Sequence, residues 1–323
     1  MKNKRNYLSI IISLLAVIAL GVWPLITKKP ADRETAFTIL KAIALASSLN
    51  IILGYTGYVS FGHIVYFGIG GYVGFYLLSA QGVSLWLAML AGGLSSGIMS
   101  FLLGKAILRL RGAYFALATI GVNQAVHAFV NNFDLFGGPI GMTLNFKIYK
   151  EYGGAAEALQ MIFYFMIGLT ILAILISYWV RTSKFGLSLL AIREDEDAAE
   201  VMGIIAPNAK TWAYVLSAIV PGLIGVIFFF KNGNIEPHDA FPLHTSIEFI
   251  VMIMLGGQGT IFGPILGAMG YQSLRGYLLT SPFFKNIQLS VAGFLLLLIV
   301  LFIPAGVVGW IRNRYPKTRR VLQ

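Results

Sequence analysis

The chain has 323 residues, of which 57% are hydrophobic and 11% are charged, and its formal net charge is +11. A soluble globular domain carries about 25% charged residues, so this composition argues against a water-soluble enzyme. Cysteine is absent, which excludes a disulfide framework, a thiolate zinc site and a cysteine nucleophile.

Apolar runs bounded by charges, glycine and proline predict ten membrane spans. A helix that crosses a bilayer needs about 20 predominantly apolar residues, and residues 42–104 contain no Lys, Arg, Asp or Glu. We therefore expect an all-α, polytopic membrane protein with a single transmembrane domain, residues 1–323. The predicted spans cover 7–27, 36–53, 64–80, 84–104, 113–130, 157–180, 211–230, 245–255, 264–280 and 287–309.

The distribution of basic residues predicts the orientation of these spans. If the N-terminus is cytoplasmic, fifteen of the 24 Lys and Arg residues fall on the cytoplasmic side and seven on the outer side. This excess favours two cytoplasmic termini by the positive-inside rule, with a basic tail at 311–323. The first apolar run also has the form of a signal peptide. It is long, contains Pro24 and lacks an A-x-A site, so we expect it to be retained.

Glycine interrupts the predicted spans at residues 54–63 and 256–264. Broken backbone at membrane depth persists only where protein or a water-filled cavity satisfies its polar groups. In transporters such breaks often lie beside the pathway, but tight turns between neighbouring helices explain the pattern equally well. For His63, hydrogen bonding to broken backbone is favoured over a place in the pathway. The pathway-region residues predicted here are Gly57, Ser60, Gly62, His63, Gly256, Gly257 and Gly259.

Two connections are long enough to carry structure of their own. Residues 131–156 form the longest outer connection, and we expect a short element within this glycine-rich loop. Residues 181–210 are the long polar stretch on the cytoplasmic side, where apolar residues recur at helical spacing beside a charged run at 193–197. This pattern predicts one or two amphipathic helices outside the bilayer, with apolar stripes that need a surface to pack on.

Ionisable residues within predicted spans are candidates for function, because burying a charge at mid-bilayer costs on the order of 3 kcal/mol. Lys41 and Arg275 lie near the outer ends of their spans, so we expect their long side chains to extend to the interface. Glu248 has a short side chain in an apolar span, where hydrogen bonding inside the bundle is favoured over substrate contact. Neither H-E-x-x-H nor G-x-x-x-x-G-K-[ST] occurs, so we predict no metal site, no cofactor and no ATPase activity in this chain.

Several blocks of sequence resemble, in order, the permease subunits of branched-chain amino acid ABC importers, specifically the longer permease. Residues 181–210 are also similar to the coupling loop E-A-A-x-x-x-G of ABC permeases, with Asp197 in place of Glu and without the I-x-L-P tail. The blocks are GYTGYVSFGHIVYFGIGGY at 54–72, LRLRGAYFALATIG at 108–121, GGPIGM at 137–142, SKFGLSLLAIREDEDAAEVMGI at 183–204 and IEFIVMIMLGGQGTIFGPILGA at 247–268.

The resemblance implies a transport machine rather than an enzyme. It implies a multi-pass protein of the bacterial inner membrane that carries leucine, isoleucine and valine, surrounded by membrane lipid and without nucleic acid. The implied partners are a second homologous permease, two cytoplasmic ATPase subunits and an extracytoplasmic substrate-binding protein. The residues implied for ATPase coupling are Phe185, Gly186, Arg193, Asp197, Ala198, Ala199 and Gly203.

Three alternatives stay open on the sequence. Permeases of related importers carry urea or short amides, and nothing in these blocks separates them. A secondary transporter or channel would act without an ATPase and would carry conspicuous intramembrane carboxylates, which only Glu248 approaches. A membrane-embedded enzyme is disfavoured because His, Asp and Glu are not clustered.

Overall fold

A computed structural model describes residues 3–280, 290–291, 293–294, 297–298 and 306–314. Residues 134–136 and 138–140 form two short 3-10 turns. In chain order the elements are α1 (Asn3–Thr27), α2 (Pro30–Thr56), α3 (Ile64–Gln81), α4 (Leu85–Ile107), α5 (Ala113–Asn131), β1 (Met142–Thr143), α6 (Ile148–Glu151), α7 (Ala155–Thr182), α8 (Lys184–Glu194), α9 (Glu196–Val201), α10 (Ala206–Asn232), β2 (Asn234–Ile235), α11 (Pro237–Ala240), α12 (Leu243–Gly256), α13 (Gly263–Thr280) and α14 (Gly306–Arg314).

These helices confirm the all-α, polytopic class. Within the described residues, eight helical segments are long and apolar enough to cross a membrane, and they match the first eight predicted spans. The ninth prediction, 264–280, corresponds to α13, which has 18 residues but is less apolar because it contains Gln272 and Arg275. The tenth prediction, 287–309, and the tail at 311–323 lie largely outside the described residues.

Helices α2 and α10 form the centre of the bundle. α10 packs against α2, α3, α4 and α7, while α1 packs on α2 and α7 with Val17 buried. Small residues allow these helices to approach closely. A Cβ atom at Gly70 of α3 would clash with the backbone of Gly222 in α10, so glycine is required for this contact.

The connections between helices gather at two ends of the bundle. We call one the ribbon end, because β1 and β2 pair there antiparallel with Met142 opposite Ile235. Residues 131–156 lie there and contain two 3-10 turns, β1 and α6, where a short element was expected. The opposite end, which we call the α8–α9 end, brings Gly57 and Gly259 against α8 and Tyr58 against α9.

The polar segment 181–210 forms the two short helices α8 and α9, at the upper limit of the prediction. The Ser183 hydroxyl accepts a hydrogen bond from Gly186 N–H at 3.1 Å and caps α8. The Asp195 carboxylate accepts one from Ala198 N–H at 3.0 Å and caps α9. Capping of this kind satisfies backbone donors that a helix start leaves free.

Candidate functional site

The first break begins where α2 ends. Gly57 has a φ of +77° and its N–H donates to the Leu53 carbonyl at 3.1 Å, which is a glycine helix terminus. Further along, the Phe61 N–H donates to the Thr119 hydroxyl at 3.1 Å and the Ile64 N–H to the Ser246 hydroxyl at 3.2 Å. Side chains of α5 and α12 therefore satisfy this broken backbone, as membrane depth requires.

The remaining polar residues of the first break point into the bundle. The Ser60 hydroxyl lies 3.5 Å from the Tyr214 hydroxyl, and Gly62 packs so closely on the Thr119 carbonyl that no side chain would fit. His63 is buried and its ring packs edge-on against Tyr66, with centroids 5.5 Å apart. Neither ring nitrogen has a hydrogen-bond partner of good geometry among the described residues, although the Ser217 backbone is close. The bond to broken backbone expected for His63 is therefore not found.

The loop of the second break is stabilised by the hydroxyl group of Thr260, which lies within it. α12 ends at Gly256, and Gly257 leaves the helix with a φ of +126°. The Thr260 hydroxyl donates to the Gly257 carbonyl at 2.8 Å and accepts from the Gly263 N–H at 3.0 Å. This pair of bonds shapes a tight loop between α12 and α13, with Gly259 in the left-handed region at a φ of +71°.

Asn50 of α2 joins the second break to the first. Its side-chain nitrogen donates to the Thr260 carbonyl at 3.0 Å, and its side-chain oxygen accepts from the Gly259 N–H at 2.9 Å. Gly54, one turn further along α2, is so close that a Cβ on it would lie 2.6 Å from the Gly259 nitrogen. The two breaks, whose G-x-x-G pairs Gly54/Gly57 and Gly256/Gly259 are 202 positions apart, thus form one site. In the sequence Asn50 stands out as a polar residue in a charge-free run, but its partner is not indicated there.

Two arginines connect this site to α7 and α8. Arg193 of α8 donates to the Gly54 carbonyl at 2.6 Å, and its side-chain stem lies against Gly57. Arg181, at the end of α7, donates to the Gly259 carbonyl at 3.0 Å. Carbonyls at helix ends lack partners within the helix and attract cations. The two guanidinium groups therefore attach α8 to the first break and the end of α7 to the second break.

A buried ion pair connects α9 to the same region. The Lys210 ammonium, 2% exposed, donates to the Glu196 carboxylate at 2.6 Å and to the Leu108 carbonyl at 3.0 Å. It also donates to the Tyr58 hydroxyl at 2.9 Å, and that hydroxyl donates to Glu196 at 2.9 Å. Sequence reasoning missed Glu196, Lys210 and Tyr58, since Glu196 is one of several adjacent charges and Lys210 begins an apolar helix.

Asp197 makes a second, exposed contact on α9. The Arg111 guanidinium donates to both of its carboxylate oxygens, at 2.8 and 3.3 Å. This hydrogen-bonded cation holds the pKa of the Asp197 carboxyl below its usual range. Arg111 follows α4, so the contact ties α9 to the connection between α4 and α5.

The other predicted coupling residues shape α8 and α9. Phe185 stacks on Trp179 with ring centroids 6.2 Å apart, and Gly186 packs directly on the Val180 carbonyl. These contacts seat α8 on the end of α7. Ala198 is exposed at the start of α9, whereas Ala199 is buried in a small apolar cluster with Ile192 and Ala206.

The end of α9 presents apolar side chains to its surroundings. Val201 is 90% exposed and Met202 is 84% exposed, and Ile205 follows them. Gly203 turns the chain between Met202 and Ile205 with a φ of +88°, and a Cβ atom on Gly203 would meet nothing within 4 Å. We call Val201, Met202, Gly203 and Ile205 the α9 tip. Contiguous exposed apolar residues mark surfaces that bind other proteins or membrane.

The three ionisable residues of the spans meet elsewhere, in what we call the Glu248 cavity. Arg275 donates to Glu248 at 2.9 Å, and the Lys41 ammonium lies 3.9 Å from the centroid of the Phe228 ring. All three charged groups line one space of about 250 Å³. Arg275, which is expected to extend to the interface, keeps 30% of its side chain exposed and pairs with Glu248, so that expectation stays a prediction. Among the described residues, no group of three His, Asp or Glu could hold a metal ion.

Comparisons with known proteins point in one direction. A family described as "Branched-chain amino acid transport system / permease component" matches residues 33–303. The chain is 26% identical to the high-affinity branched-chain amino acid transport system permease protein LivM of Escherichia coli K12, over 93% of this chain and 75% of that protein. No solved structure gives a significant match.

Two further relatives widen the comparison. The chain is 24% identical to the permease protein LivH of the same E. coli strain, over 82% of this chain and 90% of LivH. It is 25% identical to the probable branched-chain amino acid transport permease protein LivM of Methanocaldococcus jannaschii, over 81% of this chain and 88% of that protein.

Proposed function

We propose that this chain, which belongs to the family of permease components of branched-chain amino acid transport systems, forms half of the membrane pathway of an ATP-driven importer for leucine, isoleucine and valine. The family is the one that the sequence blocks resembled. Similarity to both LivM and LivH supports a pathway built with a second, homologous permease. Two ATPase subunits and an extracytoplasmic binding protein complete the proposed machine.

The observation that carries this proposal is the direct attachment of α8 and α9 to the broken helices. Arg193 binds the end of α2, and Glu196 binds Tyr58 in the first break and Lys210 at the start of α10. Movement of α8 and α9 is therefore transmitted to helices at the centre of the bundle. Rigid-body shifts of packed helices about such contacts are a common form of alternating access.

The α9 tip supplies a surface to which an ATPase subunit can bind. Val201 and Met202 are among the most exposed large apolar residues of the chain, and the adjoining α8 and α9 carry charges of both signs. An amphipathic segment of this kind suits an apolar groove on a soluble partner. By the positive-inside rule this end is cytoplasmic, since Lys105, Arg109 and Lys184 lie beside it.

The proposal is tested by leucine uptake in cells that lack this gene. We expect uptake of radiolabelled leucine to be lost, to return when the gene is restored with intact partners, and to stop when ATP is depleted. Uptake that never depends on the gene in the presence of these partners would refute the proposal.

A pair of matched variants tests the proposed role of the α9 tip. We expect Met202→Glu to abolish both co-purification of the ATPase subunits and leucine uptake, because a charge enters an apolar contact. Phe146→Glu, at an exposed apolar position of the ribbon end, is the control and should retain both. Equal loss in both variants would contradict docking at the tip.

A further inference from the structure

The Glu248 cavity lies in the half of the bundle next to the ribbon end. Its rim is formed by the exposed His238 and Asp239 of α11. Leu45 of α2 lies one turn deeper than Lys41, about 6 Å along a helix that runs away from the ribbon end. Ile64, the first residue of α3, also lines the cavity and directly follows the first break. The cavity therefore extends from the ribbon end towards the proposed pathway.

Two cations, Lys41 and Arg275, and one anion, Glu248, line the same part of the bundle. Glu248 is 6% exposed and keeps one carboxylate oxygen on Arg275 at 2.9 Å. The Lys41 ammonium faces the Phe228 ring, and no carboxylate of the described residues lies within 4.0 Å of it. Asp239, on the rim of the same cavity, supplies a second carboxylate. A ligand carboxylate beside Lys41 would give that ammonium a counter-ion, and a ligand ammonium has Glu248 as its acceptor.

The part of the cavity wall that carries no charged group is apolar. Leu45, Phe67, Phe228 and Phe249 contribute carbon surface beside the ionic groups. Its volume of about 250 Å³ falls just below the ~300–1,000 Å³ of pockets that hold drug-sized ligands. The space therefore suits a small molecule with two opposite charges and a short hydrocarbon group.

We propose that the Glu248 cavity is a binding site for an α-amino acid with an apolar side chain, on its way through this subunit. Lys41 binds the carboxylate, Glu248 binds the ammonium group, and Leu45, Phe67 and Phe249 contact the hydrocarbon. This inference deepens the proposed function and rests on it. It also separates the substrate classes that the sequence left open, since urea and short amides carry no charge for Lys41 or Glu248 to bind.

Transport by the purified complex, with its partner subunits in proteoliposomes, provides one test. We expect Lys41→Met and Glu248→Gln each to lower ATP-driven leucine uptake at least tenfold, with ATPase stimulation by the loaded binding protein within twofold of wild type. Lys231→Met, which removes a salt bridge to Glu34 outside the cavity, is the control and should keep uptake. Lys41→Arg should recover a large part of it.

The two proposals fail differently in this test. Normal uptake by Lys41→Met and Glu248→Gln would overturn the cavity site and leave the importer standing. A wild-type complex that hydrolyses ATP but imports no leucine would overturn the proposed function and the site with it.

Thiol labelling gives a test that does not depend on variants of the charged residues. The chain contains no cysteine, so a single introduced thiol reports on its own surroundings. We expect millimolar leucine to slow labelling of His244→Cys, inside the cavity, at least threefold. Isovaleramide, which has a similar hydrocarbon group and no charge, should not slow it. Lys150→Cys, exposed on α6, is the control, and equal labelling of His244→Cys with and without leucine would refute the site.

Discussion

Asn50 and Gly259 are 209 positions apart in the chain, yet the Gly259 N–H donates to the Asn50 side chain at 2.9 Å. The same side chain donates to the Thr260 carbonyl at 3.0 Å. Both backbone groups belong to a loop that cannot pair them within a helix. One buried amide therefore replaces two hydrogen bonds that a continuous helix would have made.

Replacement of Asn50 by alanine should destabilise the protein. It leaves the Gly259 N–H and the Thr260 carbonyl without their partner, and an unpaired buried backbone group costs about 1–3 kcal/mol. We expect a lower Tm in detergent, measured by the fluorescence of native tryptophan. Ser95→Ala removes a hydroxyl whose bond among the described residues is to the Gly92 carbonyl in its own helix, and it serves as the control. A Tm for Asn50→Ala equal to that of the control would contradict this account.

Replacement of Arg193 by alanine should uncouple transport more than it unfolds the protein. The variant loses a charge-assisted bond to the Gly54 carbonyl, worth about 1.5–3 kcal/mol, so α8 no longer moves with α2. We expect at least a tenfold rise in ATP molecules hydrolysed per leucine imported. Arg109→Ala, at an exposed position of the same end, should keep the ratio of wild type. An unchanged ratio in Arg193→Ala would exclude a coupling role for this contact.

Two variants at Gly203 distinguish the effect of backbone strain from the effect of contact with a partner. The φ of +88° at Gly203 disfavours most side chains, but a Cβ there meets nothing within the described chain. Asparagine tolerates this backbone region, so Gly203→Asn should retain the ATPase subunits, whereas the bulky Gly203→Trp should lose them and still fold. Co-purification and substrate-stimulated ATPase activity measure the difference. Normal stimulated activity in Gly203→Trp would show that no partner lies close to this turn.

The Arg111–Asp197 contact predicts a pH dependence with a definite sign. Because Arg111 lowers the pKa of Asp197 in the folded protein, the contact stabilises at pH above the ordinary value of 3.8 and is lost as pH falls through the lowered pKa. The Tm difference between wild type and Asp197→Asn should therefore be largest near neutral pH and shrink towards pH 3. A difference that grows on acidification would contradict the assignment.

Composition and spacing predicted much of this protein because they report on local burial. Apolar runs located eight spans that the helices confirm, and glycine clusters located both breaks. The polar stretch 181–210 became two short helices because capping residues and apolar periodicity act over only a few positions. These features need no knowledge of which helix lies beside which.

The site residues that were missed make contacts over long stretches of chain. Nothing near Asn50 in the sequence signals a loop 209 residues later, and nothing near Glu196 distinguishes it from the charges beside it. In the sequence, Lys210 and Arg275 have the appearance of charged residues near the ends of spans. In the structure, Lys210 pairs with Glu196 and Arg275 pairs with Glu248. A side chain's distant partner depends on how whole helices pack.

The amino-acid sequence by itself determined the class of the protein, the first eight spans, the two breaks and the amphipathic segment, because hydrophobicity and helix periodicity are local properties. Only the tertiary structure decided that the two breaks are one site, that α8 and α9 are bonded to it, and that Lys41, Glu248 and Arg275 share a cavity. Low-dielectric surroundings make unpaired polar groups costly, so packing brings such groups together from distant parts of the chain.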